Sequence, residues 1–392
     1  MNVEFEFLDR EPLENVITAM HFKLDKVSYF GSAAEIERQR KSLTNFLRKD
    51  CGVSEVVFHP VEELDLQSII AVLRDEIRLE RSCRNSLFFD ISGGRSMVLT
   101  AFGMLAKEFS VSLHYYNVIE DRLIEPDIGT GSPISAVLER RDVPLTLDRL
   151  IRLRGGVIND NLHKGNKNLG DPEYNGDVEN IFTVATRHWE AWNVYSDLLR
   201  TVLAPPKGEL TVDRERQALR TGLKKLKEKL RSETAFMNFL RELAGIGVIL
   251  GLECTEERIS FCYKNAGIKD CLWEGGAVLE LHTCLQERKK GGDCRVGVHL
   301  DWDGKLHGSY GTDVMNEIDV LALRGNIPTF ISCKTGNMSS HQALHALYEL
   351  DTVAGRFGGK YAKKTLMTVQ DLGKAYRERA EEMGISVVVV GK

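Results

Sequence analysis

The chain has no closely paired cysteines. Its eight, Cys51, Cys83, Cys254, Cys262, Cys271, Cys284, Cys294 and Cys333, form no Cys-x-x-Cys unit and no even framework of short spacings. That excludes zinc ribbons and disulfide-stapled scaffolds and leaves reduced, mostly packing thiols. No apolar run is long enough to span a bilayer, the longest patch lying near Ile246 to Leu252, and the acidic, alternating start MNVEFEFLDREP is unlike a secretion signal. The expectation is a cytoplasmic protein with no membrane partner. Gly-x-Gly-x-x-Gly is missing, so dinucleotide binding has no direct support. Gly359-Lys360 is followed by Tyr361 where a phosphate-binding loop needs Ser or Thr for magnesium. His341 and His345 have the spacing of a zinc-protease helix, but Gln342 stands where its glutamate base belongs. A formal net charge of -5 argues against non-specific coating of nucleic acid, although a local basic groove remains open.

What is present is an ordinary globular composition, 43% hydrophobic and 28% charged, over 392 residues, enough for two or three domains. From Val3 to about Val118 extended and helical patterns alternate, as in βα units around a mostly parallel sheet. Strands are expected at Val3 to Leu8, Lys26 to Phe30, Glu55 to His59, Ser86 to Ser92 and Ser112 to Val118. Helices are expected at Pro12 to His21, Ala33 to Lys49, Leu64 to Arg81 and Arg95 to Phe109, the last turning Met97, Phe102, Leu105 and Ala106 to the sheet. This is a Rossmann-like arrangement, in which ligands bind beyond the carboxyl ends of the strands. The junction Phe89-Asp90-Ile91-Ser92-Gly93-Gly94-Arg95-Ser96 fits such a site. Two glycines admit close backbone approach by an anion, Arg95 can engage phosphate, and Ser92 or Ser96 can cap the helix. Arg95 in a first helical turn opposes the helix dipole unless an anion is near.

Between Asn117 and Asp177 the chain is rich in Gly, Asp, Asn and Pro, with turn-forming stretches at Asp127 to Pro133 and Gly165 to Lys167. Helical patterns follow at Val178 to Leu203 and Asp213 to Gly245. Within them Lys224, Lys225, Lys227, Lys229 and Arg231 read as a solvated face, with Leu223, Leu226 and Leu230 turned inward. Short strands at Val248 to Glu253 and Arg258 to Tyr263 after a helix are what a winged-helix module shows. The expected division is 1–150, 151–268 as a helical connector, and 269–392.

The last part carries the chemistry. Asn316 to Leu323 and Pro328 to Lys334 are extended runs joined by Arg324-Gly325-Asn326, a β-hairpin within Thr312 to Gly336. Period two places Glu317 and Asp319 on one face and Ser332 and Lys334 together on the partner strand. A mid-strand carboxylate is costly to bury unless a metal or cation compensates it. Val278 to Arg288 is expected as a helix projecting Glu280 inward, and Arg295 to Leu300 as a strand. His341 to Arg356 follows as a helix, and Ile385 to Val390 as a last apolar strand. Lys360, Lys363 and Lys364 follow the helix and are candidates for a phosphate path.

This constellation resembles the PD-(D/E)xK nucleases, in which an acid on one strand and an acid-x-Lys on the next hold Mg²⁺ or Mn²⁺. Ser332-Cys333-Lys334 occupies the second motif, with Ser332 where the family has an acid, and Trp273 to Glu280 is similar to the family's Gly-Gly-x-x-Leu-Glu helix. At the other end, Asp9-Arg10-Glu11-Pro12-Leu13-Glu14-Asn15 after the first strand, with FDISGGRSM, looks like a CARF domain, the sensor of cyclic oligoadenylates in type III CRISPR defence. The resemblance implies an α/β chain: a Rossmann-like CARF domain, a helical, winged-helix-like connector, and a restriction-endonuclease-like α/β domain. It implies a homodimer binding cyclic tetra-adenylate through Asp9, Arg10, Ser92, Gly93, Gly94, Arg95, Ser96 and Asn117, and cutting single-stranded RNA or DNA. Glu280, Asp319 and the Cys333 carbonyl would hold the ion, Lys334 would orient hydroxide, and Glu317 or a water would replace the acid missing at Ser332. Two other classes stand beside it: a cyclic-oligoadenylate-binding regulator with a degenerate nuclease fold, which Ser332 favours, and a nucleotide-binding oxidoreductase, which the absent glycine fingerprint disfavours.

Overall fold

The computed structural model describes residues 1–126, 129, 131, 142–159, 165–227, 230, 232–302, 304 and 316–390, with 165–167 in backbone only. Most of Asp127 to Pro133, together with Lys229, Arg231 and Thr312 to Met315, lies outside the described residues. The first sheet is built by β1 (Asn2–Phe7), α1 (Ile17–His21), β2 (Lys26–Gly31), α2 (Ala33–Lys49), β3 (Glu55–Pro60), α3 (Leu66–Ser82), β4 (Ser86–Asp90), α4 (Ser96–Phe109), β5 (Ser112–Asn117) and β6 (Arg122–Ile124). Strand order is β3-β2-β1-β4-β5-β6, parallel except for the antiparallel edge strand β6. The order reverses between β1 and β4, so the loops after these two strands meet at the carboxyl end of the sheet.

Both faces of this sheet are covered, and that changes what the alternation in VEFEF means. Val3, Phe5 and Phe7 pack beneath α3 and α4, while Glu4 and Glu6 point to the opposite face and are buried there with Asp90 and His114. Glu4 accepts from His114 Nδ1 at 2.8 Å, and the neighbouring carboxylates hold the imidazole up at about 10 despite its burial. Burial, reinforced by the Glu4 charge, pushes the Asp90 carboxyl up to about 7, although Thr18 and Ser92 donate to it. Two local differences from the sequence expectation have clear causes. Helix α1 starts at Ile17 rather than Pro12, because Asp9 and Asn15 capture backbone groups of the intervening loop: Asp9 N–H and Glu11 N–H donate to the Asn15 and Asp9 side chains at 2.8 Å. In α4, Met97 is exposed and Val98 takes the inward position with Phe102, Leu105 and Ala106.

The chain continues through α5 (Leu147–Leu153), β7 (Val157–Ile158), α6 (Pro172–Thr201), β8 (Thr211–Glu215), α7 (Arg216–Lys224), α8 (Glu233–Gly245), β9 (Ile249–Cys254), β10 (Arg258–Tyr263) and α9 (Ala266–Trp273). β8, β10 and β9 form a small antiparallel sheet. Asp213 is therefore in a strand and not in a helix, since Thr211–Glu215 pairs with β10. Leu223 is buried and Leu226 half-buried, while Lys224, Lys225 and Lys227 are exposed. The last part contains α10 (Ala277–Lys289), β11 (Asp293–Asp301), β12 (Asn316–Arg324), β13 (Ile327–Lys334), α11 (Ser340–Gly358), β14 (Lys363–Thr368), α12 (Lys374–Glu382) and β15 (Ile385–Val389).

The third sheet runs β15-β14-β13-β12-β11-β7, with β13, β14 and β15 parallel and the rest antiparallel. It reaches back in sequence: β7 pairs with β11, and Leu147, Leu150 and Ile151 of α5 enter the core under α11. The other face packs on α10 and, through it, on α6 and the helical module. The first and third sheets are joined by polar contacts. Arg154 pairs with Glu11 and donates to the Gly358 carbonyl at 3.1 Å, Lys360 Nζ meets Glu14 at 2.7 Å, and Asn326 donates to Tyr116 and Asp121 at 3.1 and 2.8 Å. Among the described residues no helix is long and apolar enough to cross a membrane.

Candidate functional site

The hairpin β12–β13 turns at Gly325, whose φ of +58 lies in the left-handed region that glycine adopts without strain. Its register pairs Val320 with Ile331 and Leu321 with Phe330; continued one step, it sets Asp319 opposite Ser332. The alternation slips here. Ile318 packs with the core under α11, yet Val320, two residues on, packs with the core under α10. Asp319 sits at that slip, and its Oδ2 collects three donors: Cys333 N–H at 2.6 Å, Ser332 Oγ at 3.0 Å and Lys334 Nζ at 3.2 Å. The carboxylate thus binds the strand that carries the lysine and fixes the lysine's position.

Glu280 enters from the first turn of α10, behind the N-cap Gly276. A Cβ at Gly276 would stand 2.7 Å from Glu280 Oε1, so the glycine makes room for this carboxylate. Burial pushes the Glu280 carboxyl up to about 8, and the Asp319 and Glu317 charges push the same way against the opposing pull of Lys334. Lys334 is held above the ordinary lysine range by Asp319 and Glu349, which outweigh its burial. Glu317, Asp319, Ser332 and Lys334 line one cavity, and Glu280 lies near enough for the Asp319 and Glu317 charges to act on its carboxyl. Glu349, from α11, lines a cavity of about 210 Å³ with Glu317, Asp319, Ser332 and Lys334, and sequence reasoning missed it. The only signal available was an acid on the exposed side of a helix that crosses over between two strands. His345 Nδ1 stands 3.7 Å from Glu349, and His341 and His345 line an adjoining cavity with Lys334.

Oxygen donors of this kind suit a hard divalent cation, and two crowded carboxylates, one of them driven toward its protonated form, are what such a cation would relieve. Among the described residues no three His, Cys, Asp or Glu side chains converge as metal ligands. A metal here would rest on Asp319, Glu280, the Cys333 carbonyl and water. Lys360 and Lys364 are engaged elsewhere, with Glu14 and Asp351 at 2.7 Å each.

At the carboxyl end of the first sheet, the residues expected to bind a ligand have separate placements. Asp9 Oδ2 accepts from Gly94 N–H at 3.1 Å, and a Cβ on Gly93 would stand 3.1 Å from Asp9 Cβ and from Glu14 Oε2. Gly94 has φ +130, a conformation closed to most side chains. Arg95 is the N-cap of α4, outside the helix proper, and pairs with Glu63 at 2.8 Å, so Glu63 supplies the anion that its position calls for. Ser96, exposed, opens α4. Ser92 Oγ accepts from Tyr116 N–H at 2.8 Å, tying the β4 loop to β5. Asn117 is spent on the β5–β6 turn, accepting from Ile119 and Glu120 N–H. Arg10 lines a different cavity, against α2.

No family model matches the sequence, and no curated protein matches it. The fold does match solved structures. Protein VC1899 from Vibrio cholerae superposes with a TM-score of 0.70 at 15% identity, covering 99% of this chain and 94% of its own. Can2 from Sulfobacillus thermosulfidooxidans, solved in complex with cyclic tetra-adenylate, superposes with a TM-score of 0.62 at 14% identity, covering 99% of this chain and 95% of its own. The chain therefore shares, over nearly its whole length, the fold of these two proteins.

Proposed function

We propose that this protein is a metal-dependent nuclease of type III CRISPR defence, switched on by cyclic tetra-adenylate bound at the carboxyl end of the first sheet in a homodimer. The observation that carries the reading is the convergence of Glu280, Asp319 and Lys334 on one hairpin and one helix end. The ligand held by Can2 supports the choice of activator, and the Gly93-Gly94 junction beside Asp9 supports its place. A two-fold pocket suits a ring of repeating phosphates, since each subunit offers the same loop.

Bound Mg²⁺ or Mn²⁺ supplies Lewis-acid activation of water and charge neutralisation on the phosphate. Asp319, Glu280 and the Cys333 carbonyl would hold it, with Ser332 contributing a hydroxyl where a third charge is missing. Glu317 stands on the same strand as Asp319 and is half exposed, 54% at its side chain, so water rather than Glu317 completes the set. Lys334, fixed by Asp319, orients the attacking hydroxide and stabilises charge on the phosphate oxygens. The substrate is single-stranded RNA or DNA. Ser332, a neutral group in this position, favours a second reading: a cyclic-oligoadenylate-binding regulator that does not cut.

Both readings meet one assay. Single-stranded RNA and DNA are incubated with Mn²⁺, with and without cyclic tetra-adenylate, using wild type, Asp319→Ala and Lys334→Ala. Ligand-stimulated cutting that falls by at least about 100-fold in each variant supports the nuclease. Binding of the ligand with no cutting under any condition supports the regulator, and wild-type rates in both variants place the chemistry elsewhere.

A further inference from the structure

Away from the Lys334 cleft, a cavity of about 650 Å³ opens between the first and third sheets. One wall is α2, whose Arg38, Lys41 and Lys49 face it beside Arg10 from the β1 loop; the other is the end of α5 with Arg152 and Arg154, and Arg356 near the end of α11. Asp50 is the single acid among the described lining residues, and Arg149 and Arg152 already hold it at 3.0 and 3.2 Å. Arg38 is paired with Glu35 at 2.5 Å. Arg10, Lys41 and Lys49 are exposed and make no ion pair among the described residues.

Arg154 is different in kind. Its side chain is only 6% exposed, it pairs with Glu11, and its Nε–H has no hydrogen-bond partner among the described residues. A buried, incompletely paired guanidinium costs free energy and adds positive potential at the wall of this cavity, which an anion would offset. Of the seven cations lining it, Arg38, Arg152 and Arg154 are paired with Glu35, Asp50 and Glu11; the excess positive charge that remains favours a polyanion. The volume falls in the range of small-molecule sites. Cations on both walls of a cavity this size suit a ligand with more than one anionic group.

We infer that this interdomain cavity binds a small nucleotide carrying at least two phosphates, with the phosphates between α2 and Arg152, Arg154 and Arg356. Ser42 and Asn45, on the same face of α2 between the lysines, offer hydrogen bonds to its sugar or base. The site is separate from the Gly93 junction and stands whether or not the chain cuts nucleic acid.

The test is calorimetric titration of the full chain with ADP and with pyrophosphate at low ionic strength, in wild type and in Lys41→Glu/Lys49→Glu. Neither lysine forms an ion pair among the described residues, so reversing both leaves the fold intact, as circular dichroism will check. ADP is expected to bind more tightly than pyrophosphate, to weaken about tenfold or more in the variant, and to stay bound when cyclic tetra-adenylate saturates the protein. Absence of binding by either probe, equal affinity for both, an unaffected variant, or displacement of ADP by the cyclic ligand would each overturn the assignment.

Discussion

Replacing Ser332 by aspartate adds a charge at the position where the proposed metal site is short of one, and its two effects have opposite signs. Ser332 is 9% exposed and donates to Asp319 at 3.0 Å. A carboxylate there lies roughly 4–5 Å from that of Asp319, and at an effective dielectric constant of about 20 this repulsion costs about 3–4 kcal/mol. The lost hydrogen bond adds about 1 kcal/mol. Lys334 offsets part of this, so without metal the variant is expected to be about 2–4 kcal/mol less stable near pH 8. With Mn²⁺ the new group becomes a ligand, and saturation to about 100 times the dissociation constant returns about 2.7 kcal/mol. The assay is chemical unfolding followed by tryptophan fluorescence, in EDTA and across a Mn²⁺ series. The variant should start below wild type in EDTA and gain more from Mn²⁺. A variant that matches wild type in EDTA and gains nothing extra from Mn²⁺ would refute the cation site.

Two further perturbations follow from the same structure. The Asp90 carboxyl is raised to about 7 and His114 to about 10; both bind protons more tightly folded than unfolded, so each contributes stability at low pH. That contribution is lost as pH rises from about 4 through 7 for Asp90 and from about 6.5 through 10 for His114. Unfolding free energy measured against pH should therefore fall over this window, and Asp90→Asn should flatten the part below pH 7. Gly358→Ala should cost about 1–3 kcal/mol, because the new methyl would stand 2.5 Å from Phe330 and 2.6 Å from Ala362; an unchanged denaturation midpoint would show that this corner is looser than drawn.

Much of the site is legible in the sequence because its signals are local. The Gly325 turn sets the hairpin register, period two then aligns Asp319 with Ser332 and Lys334, and the Gly276 gap ahead of Glu280 marks the helix start. What was not legible depends on contacts distant in sequence. Glu349 reaches Lys334 only because α11 crosses over between the parallel strands β13 and β14. The two-residue strand β7 carries no pattern of its own and is defined by pairing with β11, more than 130 residues on. Thr211–Glu215 is too short and polar to announce a strand, and its partner β10 creates it. The alternating acids of β1 suggest one wet face, and only the packing of α1 and α2 over them reveals a buried, proton-binding cluster.

Glu14 joins the two ends of the molecule. One of its carboxylate oxygens, Oε2, has no hydrogen-bond partner among the described residues and lies beside Gly93. The other is held by Lys360 Nζ at 2.7 Å and by the Tyr361 hydroxyl at 2.5 Å, directly beyond the end of α11. The middle of that helix presents Glu349 to Lys334. On the proposed function, a phosphate arriving at Gly93 would approach a carboxylate already raised by burial, so ligand and Glu14 would compete for position, and a shift of Glu14 would be passed to Lys360 and Tyr361. A ligand changes an equilibrium only by the difference in its affinity for the two states, and on the proposed function this contact would supply such a difference. Glu14→Gln keeps the shape, removes the repulsion and weakens the pairing with Lys360. It should therefore leave Mn²⁺-dependent cutting without ligand at its wild-type rate while reducing the stimulation by cyclic tetra-adenylate about 5- to 150-fold, the usual range of coupling energies. Full stimulation in Glu14→Gln, at ligand concentrations that bind both proteins equally, would show that the signal takes another route from the sensor to Lys334.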